Sequence, residues 1–492
     1  MVASVHRDRP SRPGERLTAS AELTVCSHRG PFVYERSGAQ LEPSRGGGGL
    51  IGAVAPVLAA HGGTWITAAM SDGDRELARE HPQGRDEGGF VVRMLDLPKD
   101  AHTSHYDVVS NEYLWFLFHY LFDVPSTPVF DASFDEAWAD YRHVNELYAD
   151  AVLTSGRSDA VLVQDYHLML VGALLRKKGR VRRPLLYFHH TPWCDPEYFS
   201  LLPENTAREL LEAMLAYDVI GFHARRWADA FAACCARFLP RSKVTSDAVT
   251  WGKRSVRIVV APVPLDVQHL KTEAADPRTQ EWVARHEELS AGRSILLRVD
   301  RIDLSKNPLR GFLAFEELLQ RRPELAREII FLALLYPSRL NVETYRRYYT
   351  ECLGVVRRVN ERFEPKLRGR AGPIELSFED QYHRSLGAMR CYDALLVNPV
   401  FDGLNLVAKE GAFVNERSGA LILSRNAGVF EELGGSAIAI NPFDLSATAA
   451  AIERAVEMPG GERERMARAL RRKATRSSPS RWVRTQLSAA GL

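Results

Sequence analysis

The chain predicts a two-domain α/β protein whose halves meet at a cleft, and three observations carry that expectation. Short β-branched runs alternate with longer amphipathic stretches, the pattern of parallel sheets flanked by helices. At 492 residues the chain is too long for one simple core. The alternation also pauses at Pro262-Val263-Pro264-Leu265-Asp266 and then restarts. We therefore expect α/β domains at 21–262 and 263–466, a disordered tail at 1–20 and a helical end, 467–492, that packs back on the first domain. The tail is polar and Arg/Pro-rich and lacks the apolar stretch of a signal peptide.

In the first domain the expected strands are 23–27, 63–67, 90–94, 160–164, 184–188 and 219–222, with a further run at 256–260. A hairpin, 32–35 with 40–42 about Ser37-Gly38, follows the first strand. Gly46 to Gly49 then precede an apolar helical stretch and permit close ligand approach. Gly47-Gly48-Gly49-Leu50-Ile51-Gly52 formally matches a dinucleotide fingerprint. That motif must follow a strand directly, and the hairpin intervenes, so an NAD site is rejected. The segment from His105 to Tyr120 reads as a buried helix. In the second domain the strands are 294–299, 328–334, 394–397, 419–423 and 437–440. Helices are expected at 308–319, at 446–458 with a stop at Pro459-Gly460-Gly461, at 462–474 and around 482–490.

Composition narrows the partners. A net charge of +2 with interspersed signs gives no basic face for nucleic acid or membrane. No apolar run is long enough to span a bilayer. Cys26, Cys194, Cys234, Cys235, Cys352 and Cys391 lack metal-ligand spacing and fit free thiols in a reducing, cytoplasmic compartment.

Chemistry concentrates at strand ends. Asp402-Gly403-Leu404-Asn405-Leu406-Val407-Ala408-Lys409-Glu410 follows a buried run closed by Pro399 and leads into a helix. Asp402 thus stands where open α/β sheets bind ligands, and the following amides lie where a helix dipole favours phosphate. Glu410 can accept hydrogen bonds from a vicinal diol such as a ribose, so the segment suggests a nucleotide-sugar site. Arg301-Ile302-Asp303-Leu304-Ser305-Lys306 also follows a strand, and its fork and point charge can flank a diphosphate. Arg29, Asp165-Tyr166-His167 and His190-Thr191-Pro192 close strands of the first domain and would line one sheet edge. Asp72-Gly73-Asp74 has the form of a DxD metal motif, but its polar turn context reads as a helix cap.

Further motifs join these in order: Gly48-Gly49-Leu50, Gly63-Thr64-Trp65, Tyr106 with Ser110-Asn111 and Trp115, Ser338-Arg339, and Asn441-Pro442-Phe443-Asp444. On this set the chain resembles the trehalose-6-phosphate synthases, retaining glycosyltransferases, over residues 23–487. The resemblance implies a GT-B fold, two Rossmann-like α/β domains facing across a deep cleft. It implies that Gly49, Arg301, Lys306 and the amides of Leu406 and Val407 hold a donor diphosphate, with Glu410 on the ribose. Arg29, Tyr106, Trp115 and Arg339 would hold the phosphate of glucose 6-phosphate, while Trp65 and Asp165 line the acceptor sugar. His190 and Asp402 would contact the transferred glucose, which makes His190, Asp402, Arg301 and Lys306 the catalytic set.

No metal and no cofactor are expected, the nucleoside-diphosphate glucose being a substrate. GDP-glucose is slightly favoured over UDP-glucose, because only ten of the 64 basic residues are lysine, a bias typical of GC-rich bacterial genomes. A homo-oligomer is allowed, and a trehalose-6-phosphate phosphatase would act downstream. The chain departs from the family pattern at His28, where Asn is usual, and at Trp193-Cys194-Asp195. Neither departure replaces a residue of the donor or acceptor sets. Alternatives on the same fold are a glucosylglycerol-phosphate synthase, a cyclitol-coupling pseudo-glycosyltransferase or a catalytically silent sugar-phosphate-binding homologue.

Overall fold

The computed structural model describes residues 21–37, 40–46, 49–179, 181–340, 342–363, 367 and 371–492. The expected tail at 1–20, Gly38 of the hairpin turn, and Gly47 and Gly48 lie outside the described residues.

The first half contributes β1 (Leu23–Cys26), β2 (Phe32–Ser37), β3 (Gln40–Arg45), β4 (Gly63–Ala68), β5 (Arg85–Asp86), β6 (Val91–Leu95), β7 (Ala160–Gln164), β8 (Leu185–His189), β9 (Val219–Phe222), β10 (Lys243–Val244), β11 (Ala248–Trp251) and β12 (Arg254–Val260). Ten of these form one sheet in the order β10-β11-β12-β9-β8-β7-β1-β4-β6-β5, and β2 pairs with β3 as a separate hairpin. Every pairing from β12 across to β6 is parallel. Strands β7 and β8 are buried along their whole length, as continuous apolar runs covered on both faces should be.

The second half contributes β13 (Ser294–Ile302), β14 (Ile329–Pro337), β15 (Ile374–Ser377), β16 (Ala394–Val397), β17 (Ala420–Ser424) and β18 (Ile438–Ile440). They form an all-parallel sheet in the order β15-β14-β13-β16-β17-β18. Among the parallel strands of each sheet the order reverses once, between β1 and β7 in the first and between β13 and β16 in the second. A loop leaving either side of such a reversal diverges from its neighbour and opens a crevice at the strands' carboxyl ends.

Several elements differ from the sequence reading. Residues Ser104–Leu114 form a π-helix that continues as the α-helix Trp115–Phe118. The Trp115 amide donates to the Ser110 carbonyl, five residues back, so a regular 3.6-residue period does not describe the segment. Short antiparallel strands β10 and β11 were not anticipated, nor was the edge strand β15. The expected break between the helices Leu445–Glu457 and Gly460–Ala474 falls at Met458-Pro459, and Gly460 and Gly461 open the second helix. That helix runs through 466/467, so the segment that returns to the first sheet is the shorter helix Pro479–Ala489. Trp482 Nε1 there donates to the Ala261 carbonyl at 2.8 Å, and its ring lies 4.9 Å from Phe188.

The two halves share one apolar cluster. It runs from Val25 and Leu162 through Val263, Leu265 and Trp482 to Leu297 and Leu421. Polar contacts also join them. The helix Arg225–Phe238 follows Ala224, which offers no side-chain cap. Its first two amides instead donate to Glu431 of the other half, Arg225 N at 2.8 Å and Arg226 N at 3.2 Å. Trp227 Nε1 donates to the Gly403 carbonyl at 3.1 Å, and buried Lys409 reaches the Val263 carbonyl at 3.0 Å.

Candidate functional site

One wall of the cleft grows from β13 and β16. After Ile302 the chain turns through buried Asp303, whose Oδ1 accepts from Ser305 N and Oγ, each at 2.9 Å. This turn presents Lys306, which donates to Asp402 Oδ2 on the loop after β16. Asp402 also accepts from Asn405 Nδ2 at 3.1 Å. Asn405 sits at φ +83° and caps the helix Leu406–Val414 by accepting from Ala408 N at 3.2 Å. Among the described residues the amides of Leu406 and Val407 have no protein acceptor, so the positive end of this helix is uncommitted. Burial pushes the Asp402 carboxyl up, but the adjoining Lys306 ammonium holds it below its ordinary range. Behind the loop, fully buried Arg298 donates to Asn398, Asp300 and the Lys306 carbonyl, fixing the turn from inside.

A second group of cations rests on Trp115. The Arg339 guanidinium lies 4.1 Å from that ring and Arg301 lies 5.5 Å from it. Arg339, held at φ +53°, donates to Asp303 Oδ2 and to Tyr345 Oη at 3.1 Å. Burial raises the Asp303 carboxyl, yet Arg339 and Arg301 outweigh it and hold the pKa at about 2.

The opposite wall comes from β1, β7 and β8. Arg29 donates to Tyr106 Oη at 2.8 Å. Asp165, at φ +71°, accepts from Tyr166 N at 3.0 Å and His190 N at 3.2 Å. His190 Nε2 meets Gln164 Oε1 at 2.9 Å, and burial lowers its pKa to about 3, so the ring is neutral. Burial also raises Asp165 and Glu410 to about 7 each. The walls touch: a Cβ on Gly403 would lie 1.9 Å from the His190 carbonyl, and one on Gly49 would lie 1.8 Å from Leu406 Cδ1.

The structure thus gathers Arg29, Tyr106, Trp115, Asp165, His190, Arg301, Lys306, Arg339, Asp402 and the Leu406–Glu410 turn about one cleft. Trp65 is corrected. It is fully buried, donates to Ser27 Oγ at 2.7 Å and packs 6.3 Å from Phe90. It lies in the middle of β4, three residues before the carboxyl end, so it faces the core and not the cleft. A separation is also softened, because Trp115, expected only at the acceptor, touches Arg301 of the donor set. Asp303, Asn405, Gln164 and Tyr345 were not singled out from sequence. Asp303 stood inside a quoted motif, and a carboxylate between two cations was the signal to weigh. Asp74 is spent on Tyr34 N, Met70 N and Ser71 N, as a helix-capping residue is. Among the described residues no three of His, Cys, Asp and Glu are grouped as metal ligands.

Comparison with known proteins follows the same outline. Residues 21–491 match glycosyltransferase family 20. A bifunctional trehalose-6-phosphate synthase/phosphatase of Thermoproteus tenax is 32% identical over 94% of this chain, which spans 62% of that protein's length. A trehalose-6-phosphate synthase of Cronobacter sakazakii is 31% identical over 85% of each chain. A validamine 7-phosphate valienyltransferase of Streptomyces hygroscopicus is 29% identical over 95% of this chain and 94% of its own. Among solved structures, an Escherichia coli enzyme bound with UDP-2-fluoro glucose superimposes with a TM-score of 0.82 at 27% identity, covering 96% of this chain and 99% of the other. A Burkholderia xenovorans α,α-trehalose-phosphate synthase in complex with glucose-6-phosphate gives 0.83 at 25% identity, covering 96% and 100%.

Two facing Rossmann-like sheets with a ligand crevice at their strand reversals define a glycosyltransferase of the GT-B fold. The chain belongs to glycosyltransferase family 20.

Proposed function

We propose that the chain transfers glucose, with retention, from a nucleoside-diphosphate glucose to the anomeric hydroxyl of glucose 6-phosphate, forming α,α-trehalose 6-phosphate. The observation that carries this reading is the convergence on Trp115. Arg339 and Arg301 rest on its ring, Asp303 joins them, and the Lys306 ammonium follows three residues later. One phosphate on each side of this floor matches a sugar-phosphate acceptor and a diphosphate leaving group.

In the reaction the bond from the donor's anomeric carbon to the diphosphate oxygen breaks, and a bond to the acceptor hydroxyl forms on the same face. The acceptor's proton passes to the leaving diphosphate. Asp402 is committed to Lys306 and Asn405, which makes it a poor nucleophile and favours front-face attack through a short-lived ion pair. Arg301 and Lys306 stabilise the charge growing on the leaving group, the role a metal fills elsewhere. Metal independence is part of the proposal.

The relative from E. coli binds a UDP-glucose analogue, whereas the arginine-rich composition favoured GDP, so the base is set by experiment. All six cysteines are free and buried, which suits the cytoplasm, and no described helix is long and apolar enough to cross a membrane. The phosphorylated product calls for a phosphatase downstream. A cyclitol-phosphate acceptor is the second reading, supported by the valienyltransferase relative.

The deciding experiment supplies UDP-, GDP- and ADP-glucose with glucose 6-phosphate, with and without excess EDTA, and identifies the product linkage by NMR. Trehalose 6-phosphate in both arms is expected. Tight glucose 6-phosphate binding without turnover would overturn the transferase reading, and a strict divalent-ion requirement would overturn the charge assignment.

A further inference from the structure

We infer that His28 is a positioning residue of the acceptor-phosphate group: its imidazole is the plate that holds Tyr106, and through it Arg29, at a set distance from the cations on Trp115. The inference rests on the reading that the acceptor carries a phosphate.

The geometry is a continuous pile of rings. His28, 2% exposed at the end of β1, lies 4.4 Å from the Tyr106 ring with planes only 9° apart. On its other contacts it lies 4.9 Å from His167 at 13°. His167 stacks on Tyr166 at 4.0 Å, and Tyr166 lies 5.9 Å from Trp115, beneath Arg339 and Arg301. Five rings therefore connect the Arg29–Tyr106 pair to the second pair of guanidiniums. Tyr106 also lies 5.7 Å from His167 and 5.9 Å from His102, with His28 the nearest and flattest of its three neighbours. Flat stacking of this kind fixes spacing and orientation better than aliphatic packing, because sliding or tilting a ring loses contact area. Arg29 itself is exposed, and among the described residues its guanidinium bonds only to Tyr106, so the position of its charge depends on that phenol.

The rotation of the plate is also pinned. His28 Nε2 lies 3.3 Å from His102 Nε2, so one ring must donate and the other accept. His28 Nδ1 finds no partner among the described residues. A ring serving only to fill the core leaves no such cost if it is Phe, whereas this histidine trades it for the bond to His102. Burial first, then His167, His105, His102 and Arg29, keep the ring neutral, so the plate adds no charge of its own.

The test is steady-state kinetics of the full chain for His28→Ala, His28→Phe, Tyr106→Phe and the His28→Ala/Tyr106→Phe double variant, with glucose 6-phosphate and glucose as alternative acceptors. His28→Ala is expected to raise the KM for glucose 6-phosphate about tenfold, the upper range for losing an aromatic pair. Its kcat and donor KM should stay within about threefold, and its preference for glucose 6-phosphate over glucose should shrink. His28→Phe keeps the plate and should recover most of the loss, and the double variant should be no worse than the poorer single one. The inference is overturned by an unchanged acceptor KM in His28→Ala, by additive losses in the double variant, or by equal losses in kcat and both KM values. Absence of transfer to glucose 6-phosphate by the parent enzyme would instead refute the functional reading. Calorimetric binding of glucose 6-phosphate then still tests the plate, and equal affinities for parent and His28→Ala would overturn it.

Discussion

At the scale of single residues, two ion pairs on one wall of the cleft make different demands on their cations. Lys306 is the partner of buried Asp402, so Lys306→Ala should lower kcat by orders of magnitude with little change in acceptor KM. It also strands a buried carboxylate, which costs about 3–5 kcal/mol unless Asp402 takes up a proton. Arg339→Ala leaves Asp303 near Arg301, so its main effect should be a raised KM for glucose 6-phosphate. Initial-rate measurements at varied donor and acceptor separate the two; the reverse pattern would exchange the donor and acceptor assignments of these residues. Glu410 has a different balance. Burial raises its pKa to about 7, above the unfolded value near 4.5, so the folded form is penalised as pH rises through that window and fully above it. Glu410→Gln should therefore raise stability at pH 8 by on the order of 1–2 kcal/mol while weakening donor binding, as melting and donor-KM series would show. The placement of polar groups at the crevice was legible where they close apolar strands, as at Asp165, His190 and Asp402. Trp65 was misread because its motif neighbours the cleft in sequence, while strand geometry turns its ring into the core.

At the scale of elements, the parallel strands were readable from unbroken apolar runs such as Leu185–His189, which only doubly covered strands tolerate. The π-helix was not readable, because its aromatic-rich sequence fits an α-helical period equally well. β10 is only two exposed residues, and β11 and β15, next to or at the sheet edges, are partly exposed runs without the unbroken apolar pattern of the central strands. The loop after β16 carries a sharper consequence. An alanine methyl at Gly403 meets nothing of its own half closer than the His190 and Thr191 backbone opposite. Gly403→Ala should accordingly fold, keep its circular dichroism and lose at least about a hundredfold in kcat/KM, because the walls can no longer meet. A wider radius of gyration in solution scattering should accompany that loss; full activity would show that the contact is dispensable.

At the scale of the whole molecule, the response to acid is set by its histidines. His28, His102, His105, His119, His167, His189, His190, His223 and His286 are all lowered, chiefly by burial. Each takes up a proton near pH 6.5 when unfolded but resists it when folded, so stability is lost as pH falls below about 6.5. Five carboxyls, Glu112, Asp165, Asp300, Asp380 and Glu410, are raised and act in the opposite sense, but the nine rings outnumber them. A melting temperature that falls steeply between pH 6.5 and 4.5 is expected; a flat profile there would mean these rings are hydrated. Glu431 gives the molecule one further property. The helix Arg225–Phe238 is complete only while the other half lends it this carboxylate. When the halves part, two amides at the positive end of a helix lose their acceptors, a loss of about 1 kcal/mol. Hydrogen exchange at Arg225 and Arg226 should therefore report any parting of the halves, slower with substrates added than without, and readable without any label attached to the protein.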